Sequence, residues 1–306
     1  MNIRKLVVED NPSFEQEVYE FGGNHPKLMI TAGIHGDEVA GIAIAYEMIE
    51  LLNNTELKKG SIKIMPKCNP VATRVFNRTS FYDDVDMNRI FPGNEIEGPT
   101  YKAAKNVWDE ASDMDIIIDL HCANQYSIPY ILSVYDEFPE VLSVINHLPL
   151  KNLVQSSGLR GQFFVESIYQ RKQKSFIIEL PSGSSKGAIK NTYVFECIDA
   201  LKSLFIALGF IEGEAIYDPP IYYGEIFDVK TSNSGLFKPI KSSGDEVKKG
   251  ELIGKIGNIE IKANMDSKIH FIIPDSYVYK GDSIYSYIVR KETQALDLGG
   301  NHDKTN

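Results

Sequence analysis

Residues 115–120 read Asp-Ile-Ile-Ile-Asp-Leu, and His121 follows them directly. A strand with one face in water alternates apolar and polar side chains. This run barely alternates, so it suits a central strand covered on both faces. Similar short apolar runs occur at residues 27–31 (KLMIT), 61–66 (SIKIMP), 129–134 and 175–180 (SFIIEL). Between and after them, residues 37–52 repeat apolar side chains at helical spacing, and residues 191–208 predict a long helix. Strands interleaved with helices predict an α/β fold, with a mixed central sheet flanked by helices.

The pattern changes near Gly213. From there to about Val289 the segments are short, rich in Ile, Val and Tyr, and punctuated by Gly and Asp, as in a small all-β unit. The turns Gly244-Asp245 and Gly281-Asp282 each precede a strand-like run, which hints at a quasi-repeat. The stretch resembles a lipoyl-like barrel-sandwich domain. It lacks a convincing hairpin lysine for a prosthetic group, so a structural or substrate-capping module is expected and a carrier is not. The expected division is residues 1–212 as catalytic domain, 213–290 as β module and 291–306 as a polar tail. A chain of 306 residues accommodates two such domains.

A net charge of −10 argues against a nucleic-acid partner, whose phosphates need a basic face. It leaves room for a small anionic substrate, since a few arginines in a cleft override the global field locally. The opening residues MNIRKLVVEDNPSFEQEV lack the apolar run of a signal peptide, and no stretch has the roughly 18 to 20 apolar residues of a membrane span. The cysteines Cys68, Cys122 and Cys197 are far apart and form no metal-binding pair. A cytoplasmic enzyme without membrane partner is the simplest expectation; homo-oligomerisation stays open.

His35-Gly36-Asp37-Glu38 falls where a strand ends and a helix begins, and His121 falls at the end of another strand. In α/β proteins the carboxyl ends of strands open onto the ligand crevice. Two histidines and a carboxylate form the protein ligand set of catalytic zinc sites that keep a position for water. HxxE alone arises often by chance. A histidine at a strand end is commonly structural, and Glu38 could simply favour the helix dipole. On these residues alone, both readings stand.

GIHGDE, then DMNRIFPG at residues 86–93, then DLH ending in His121, then IIEL at residues 177–180 follow in one order and spacing. In that respect the chain resembles the aspartoacylase/succinylglutamate desuccinylase family of the zinc carboxypeptidase superfamily, over about residues 27–183. The resemblance implies that His35, Glu38 and His121 bind one Zn²⁺ per chain, although affinity order alone does not fix the metal. It implies that Glu179 is the catalytic glutamate, taking a proton from water and giving it to the leaving amine. Asn88 and Arg89 resemble a clamp for a substrate carboxylate, which a planar guanidinium fits bidentately. Arg78 matches an arginine that polarises the scissile carbonyl, with Arg74 as a competitor. Asp86 resembles a carboxylate that orients a ligand histidine.

There are departures from the family pattern. Glu179 is followed by Leu180-Pro181-Ser182-Gly183 where relatives commonly continue Leu-Gly or Val-Gly. Cys122 is expected to point away from the site and pack. Asn124, Gln125 and Tyr126 are within reach of a substrate in sequence terms, while Arg171, Lys172 and Lys174 lack a convincing register and are left out of the site.

The expected activity is hydrolysis of the amide bond of a small anionic N-acyl amino acid, with the β module narrowing the entrance. The alternatives are a metallocarboxypeptidase acting on small peptides or peptidoglycan fragments, and a non-catalytic zinc-binding module that senses a ligand.

Overall fold

The computed structural model describes residues 1–10, 13–181, 189 and 191–291. Ser182 and Gly183, where the sequence departs from the family pattern, and the tail beyond Lys291 lie outside the described residues.

Nine strands form the main sheet: β1 (Asn2–Asp10), β2 (Ser13–Gly22), β3 (Lys27–Ala32), β4 (Ser61–Met65), β5 (Ile116–Ala123), β6 (Tyr130–Ser133), β7 (Asn152–Gln155), β8 (Lys174–Pro181) and β9 (Ile221–Tyr223). Their spatial order is β1-β2-β4-β3-β5-β8-β6-β7-β9. β3, β4, β5 and β8 run parallel, whereas β6 lies antiparallel to β8 and β2 antiparallel to β4. The sheet is therefore mixed, as the sequence predicts.

The helices are α1 (Val39–Asn53), α2 (Pro70–Val75), α3 (Pro99–Glu110), α4 (Leu142–Ile145), α5 (Phe163–Arg171) and α6 (Asn191–Ala207). The interrupted alternation of residues 115–120 has a direct cause. Ile118 and Leu120 pack in one buried cluster with Ile44 and Met48 of α1 and Leu201 and Phe205 of α6. Ile117 points to the opposite face, into a cluster with Val107 and Trp108 of α3 and Phe163 of α5. Each fully buried Ile or Leu there contributes about 1.5–3 kcal/mol relative to exposure.

The change of composition at Gly213 and the end of the main sheet do not coincide. Ile221–Tyr223 lies past Gly213, yet it pairs parallel with β7 and closes the edge of the large sheet. Three residues behind Pro219-Pro220 are too few to display a period, so no sequence signal marked them.

Beyond β9 come β10 (Phe227–Lys230), β11 (Gly235–Pro239), β12 (Glu246–Val247), β13 (Leu252–Ile256), β14 (Ile259–Lys262), β15 (Ser267–Ile272), β16 (Ser276–Val278) and β17 (Ser283–Ile288). They form two four-stranded sheets, β10-β17-β15-β12 and β14-β13-β11-β16, around a small apolar core of their own.

The two Gly-Asp turns are built alike. Gly244 and Gly281 have φ of 95° and 98°, and each aspartate accepts from a backbone N–H three residues earlier, Ser242 and Tyr279. Glycine is favoured at such positive φ because it carries no Cβ.

Candidate metal centre

The turn from β3 into α1 places His35 and Glu38, and its path depends on Gly36. A Cβ at Gly36 would lie 2.0 Å from the carbonyl carbon of Ala72, so the backbone of α2 rests directly on the turn. α2 is itself set by Asn69, whose side chain accepts from Ala72 N. It ends at Phe76, which has φ of 50°. The following loop is pinned through Asp83, which accepts from Thr100 N and Oγ1 at the start of α3. That loop delivers Arg78 and Asp86 to the centre.

His35, Glu38 and His121 are all buried, and their donor atoms lie within 4.8 Å of one another. Glu38 bridges the two rings, with Oε1 2.7 Å from His35 Nδ1 and Oε2 2.9 Å from His121 Nδ1. Each ring is held from behind by a carboxylate. His35 Nε2 is 3.1 Å from Asp86 Oδ1, and His121 Nε2 is 2.8 Å from Asp119 Oδ2. This leaves both Nδ1 atoms aimed at the common point, the arrangement that fixes tautomer and orientation in metal sites. Thr31 Oγ1 donates to Asp119 Oδ1 at 2.7 Å and anchors the anchor.

Asp119 was not singled out from the sequence, where it reads as part of an apolar run. The available signal was its i, i+2 relation to His121, which puts both on one face of a strand.

Arg78 sits against the centre. Its Nε and one terminal nitrogen donate to Asp86 Oδ2 at 3.0 and 2.8 Å. The other terminal nitrogen is 3.3 Å from His35 Nδ1 and 3.7 Å from Glu38 Oε1. Arg74, its competitor, is exposed on α2 without a carboxylate partner among the described residues. Asn88 is buried, and its Oδ1 accepts from Phe163 N at the start of α5. Arg89 is exposed and donates to Asn88 O at 2.7 Å. Its guanidinium has no carboxylate partner among the described residues.

The charges respond to this packing. Burial alone would push Glu38 up, but the two flanking imidazoles hold it well below the usual carboxylate range. Burial opposes a proton on His121 and His35, yet Asp119 and Glu38 raise the first, and Glu38 and Asp86 raise the second. Burial of Asp86 is likewise outweighed by His35 and Arg78, and its carboxyl is depressed. With both imidazoles neutral, as metal ligation requires, three carboxylates against one guanidinium leave a charge of −2, the complement of a divalent cation. The donor set thus fits zinc, with two nitrogens and one oxygen converging and both histidines oriented.

Glu179 lies in register with His121 on the neighbouring strand, and Tyr130 lies in register with Glu179 on the next. By alternation the three side chains share one face, opposite Leu120, Ile178 and Ile131. Desolvation pushes the Glu179 carboxyl up to about 7, with His121 pulling it down and Glu38 pushing it up.

Cys122 packs toward α1, as alternation predicts, while its N–H donates to Glu38 Oε2 at 2.9 Å. Asn124 closes a turn, accepting from Tyr126 N and Ser127 N. Tyr126 O accepts from Ser243 of the β module. Lys174 begins β8, five residues before Glu179, which is about 16 Å at strand rise. Arg171 stacks on Trp108 and Lys172 lies over Phe138, so these cations belong to the far end of the sheet.

Residues 24–194 match the family model described as the succinylglutamate desuccinylase/aspartoacylase catalytic domain. The chain is 23% identical over 246 residues to N-alpha-acetyl-L-2,4-diaminobutyric acid deacetylase of Halomonas elongata, covering 76% of this chain and 71% of that protein. A shorter match, 36% identical over 75 residues, is to succinylglutamate desuccinylase of Pseudomonas paraeruginosa; it covers 24% of this chain and 22% of that protein. Among solved structures, an aspartoacylase family protein from Mesorhizobium loti superposes with a TM-score of 0.79 at 22% identity, covering 95% of both chains. The product-bound ectoine utilization protein EutE (DoeB) from Ruegeria pomeroyi superposes with a TM-score of 0.74 at 19% identity, covering 90% of this chain and 89% of that one. These likenesses extend the shared fold through the β module. No described helix is long and apolar enough to cross a membrane.

Proposed function

The chain belongs to the succinylglutamate desuccinylase/aspartoacylase family, and from that premise we propose that it is a zinc-dependent deacylase hydrolysing the amide bond of a small N-acyl amino acid. The observation that carries this reading is the convergence of His35, Glu38 and His121, each imidazole braced by its own carboxylate, with Glu179 in register beside His121 and its carboxyl pushed up by burial. The deacetylase and desuccinylase names of the relatives support the reaction class.

His35, Glu38 and His121 would hold the ion. Bound there, zinc supplies Lewis acidity and makes water a nucleophile near neutral pH. The remaining work falls to the chain itself. Glu179 accepts a proton as water adds to the amide carbon, and returns it to the nitrogen as the C–N bond breaks. Arg78 presents a terminal nitrogen at the edge of the centre and donates to the carbonyl oxygen as negative charge builds there. Arg89, exposed and without an acid partner among the described residues, takes the α-carboxylate, with Asn88 fixing the backbone that carries it.

The test pairs elemental analysis with turnover of acetyl-, succinyl- and longer acyl-amino acids, with dipeptides as controls. We expect about one zinc per chain, and acyl-amino acid turnover that falls by about 10²–10⁴ in Glu179→Ala while metal is retained. Dipeptide turnover alone would establish a carboxypeptidase instead. Absence of metal after zinc reconstitution would remove the mechanism.

A further inference from the structure

The β module touches the main sheet where the row His121, Glu179, Tyr130 ends. Ile128 N donates to His270 O at 3.0 Å, and Ser127 bridges to Phe271 of β15. Two residues on, the Tyr130 ring meets the His270 ring edge-on, with centroids 4.8 Å apart and planes at 79°. Both side chains are buried. Tyr130 and Glu179 are direct partners of an antiparallel pair, a relation that brings Cβ atoms to about 4.5–5.5 Å. The phenol is close enough to Glu179 and Glu38 for both to help burial keep it protonated.

His270 is an unusual choice for a packing residue. Its Nδ1 contacts Ser286 Oγ at 2.9 Å, but Nε2 is buried without a hydrogen-bond partner among the described residues. Burial lowers its pKa to about 4, so the ring is neutral. A buried polar nitrogen without a partner is costly, and an apolar side chain would fill the space without that penalty.

We propose that Tyr130 is a substrate-contacting residue beside Glu179, its hydroxyl donating to a polar group of the acyl amino acid, and that His270 of the β module is the positioning residue that holds its ring. The inference rests on the deacylase reading and assigns the module a role inside the site. Aromatic pairs prefer an edge-to-face geometry, so the His270 ring selects one tilt of Tyr130. Ser286 in turn fixes His270. The module thus acts through one imidazole on one phenol, next to the group that moves the proton.

The experiment is a double-mutant cycle on the zinc-reconstituted full chain, using the acyl-amino acid that the panel selects. Tyr130→Phe is expected to lower kcat/KM about five- to tenfold, chiefly through KM, because a hydrogen bond to bound substrate is lost while the fold is kept. His270→Ala is expected to produce a loss of similar size in the wild-type background and almost none in the Tyr130→Phe background. Independent losses that multiply would overturn the positioning role. His270→Gln, which keeps an amide to meet Ser286 but no ring, should behave like His270→Ala and serves if the alanine variant does not fold.

Calorimetric affinity for the same compounds is measured on every variant. Wild-type turnover with Tyr130→Phe unchanged in both kcat/KM and affinity overturns this inference and leaves the deacylase reading intact. A wild type that binds without turnover refutes the deacylase reading; weaker binding by Tyr130→Phe would still support the contact, and equal binding would refute it. A wild type that neither binds nor turns over any compound refutes both.

Discussion

Two charged clusters sit on this sheet, and their difference separates a structural network from a site. Near the first strands, Arg4 meets Glu110 through two nitrogens at 2.8 and 2.7 Å and Glu20 at 2.9 Å, while Lys63 reaches Glu110 at 2.8 Å. Two cations face two anions, and nothing further is needed. At the carboxyl ends of β3 and β5, Glu38, Asp86 and Asp119 face one guanidinium and two imidazoles. That cluster closes only with added positive charge, supplied by protons on the imidazoles or by a metal. Perturbed titration occurs in both clusters, so perturbation alone does not mark function; the difference is that the second balances only through its imidazoles, by protons or by a cation.

The two clusters should differ most in their response to metal. Zinc at about one hundred times its Kd should stabilise the protein by ~2.7 kcal/mol, visible as a rise in melting temperature that a chelator reverses. Asp119→Asn tests the bracing carboxylate. It can still accept from Thr31, but offers His121 an amide in place of an anion. Metal affinity should fall about 10- to 100-fold in a chelator-competition titration. Unchanged affinity would mean that Asp119 is only a buried partner of Thr31. Neither manipulation should alter the Arg4 cluster.

Much of the cluster was legible because His35, Glu38 and His121 follow strands whose apolar runs announce themselves. GIHGDE and DLH fall at strand ends, and burial on both faces gave residues 115–120 their composition. Asp119 was hidden by the same composition, since one aspartate in a row of isoleucines reads as punctuation. The β1–β2 hairpin was illegible for the opposite reason. Lys5, Glu15 and Glu17 crowd it with charge, and Lys5 pairs with Glu15 across the two strands. The run containing Tyr130 was visible as a strand, but its antiparallel direction depends on long-range pairing that a local pattern does not encode. The equivalence of the two Gly-Asp turns was readable because a positive φ limits the residue types at each one.

The smallest effect belongs to the balanced cluster. Glu110 is largely buried and shared by Arg4 and Lys63, so Glu110→Gln leaves two cations without their main partner. A loss of ~2 kcal/mol in unfolding free energy is expected, between the values for exposed and fully buried pairs. Zinc content and turnover should not change. Despite burial, Arg4 and Lys63 hold Glu110 below its ordinary pKa, and Arg4 does the same for Glu20. Their stabilisation is therefore present above the unfolded value near 4 and is lost as pH falls through the lowered folded values. Urea titrations across that window should show a shallower acid limb in Glu110→Gln than in the wild type. A variant that instead loses metal would show that the two clusters are coupled through β3 and β4, and the division between structural network and site would no longer hold.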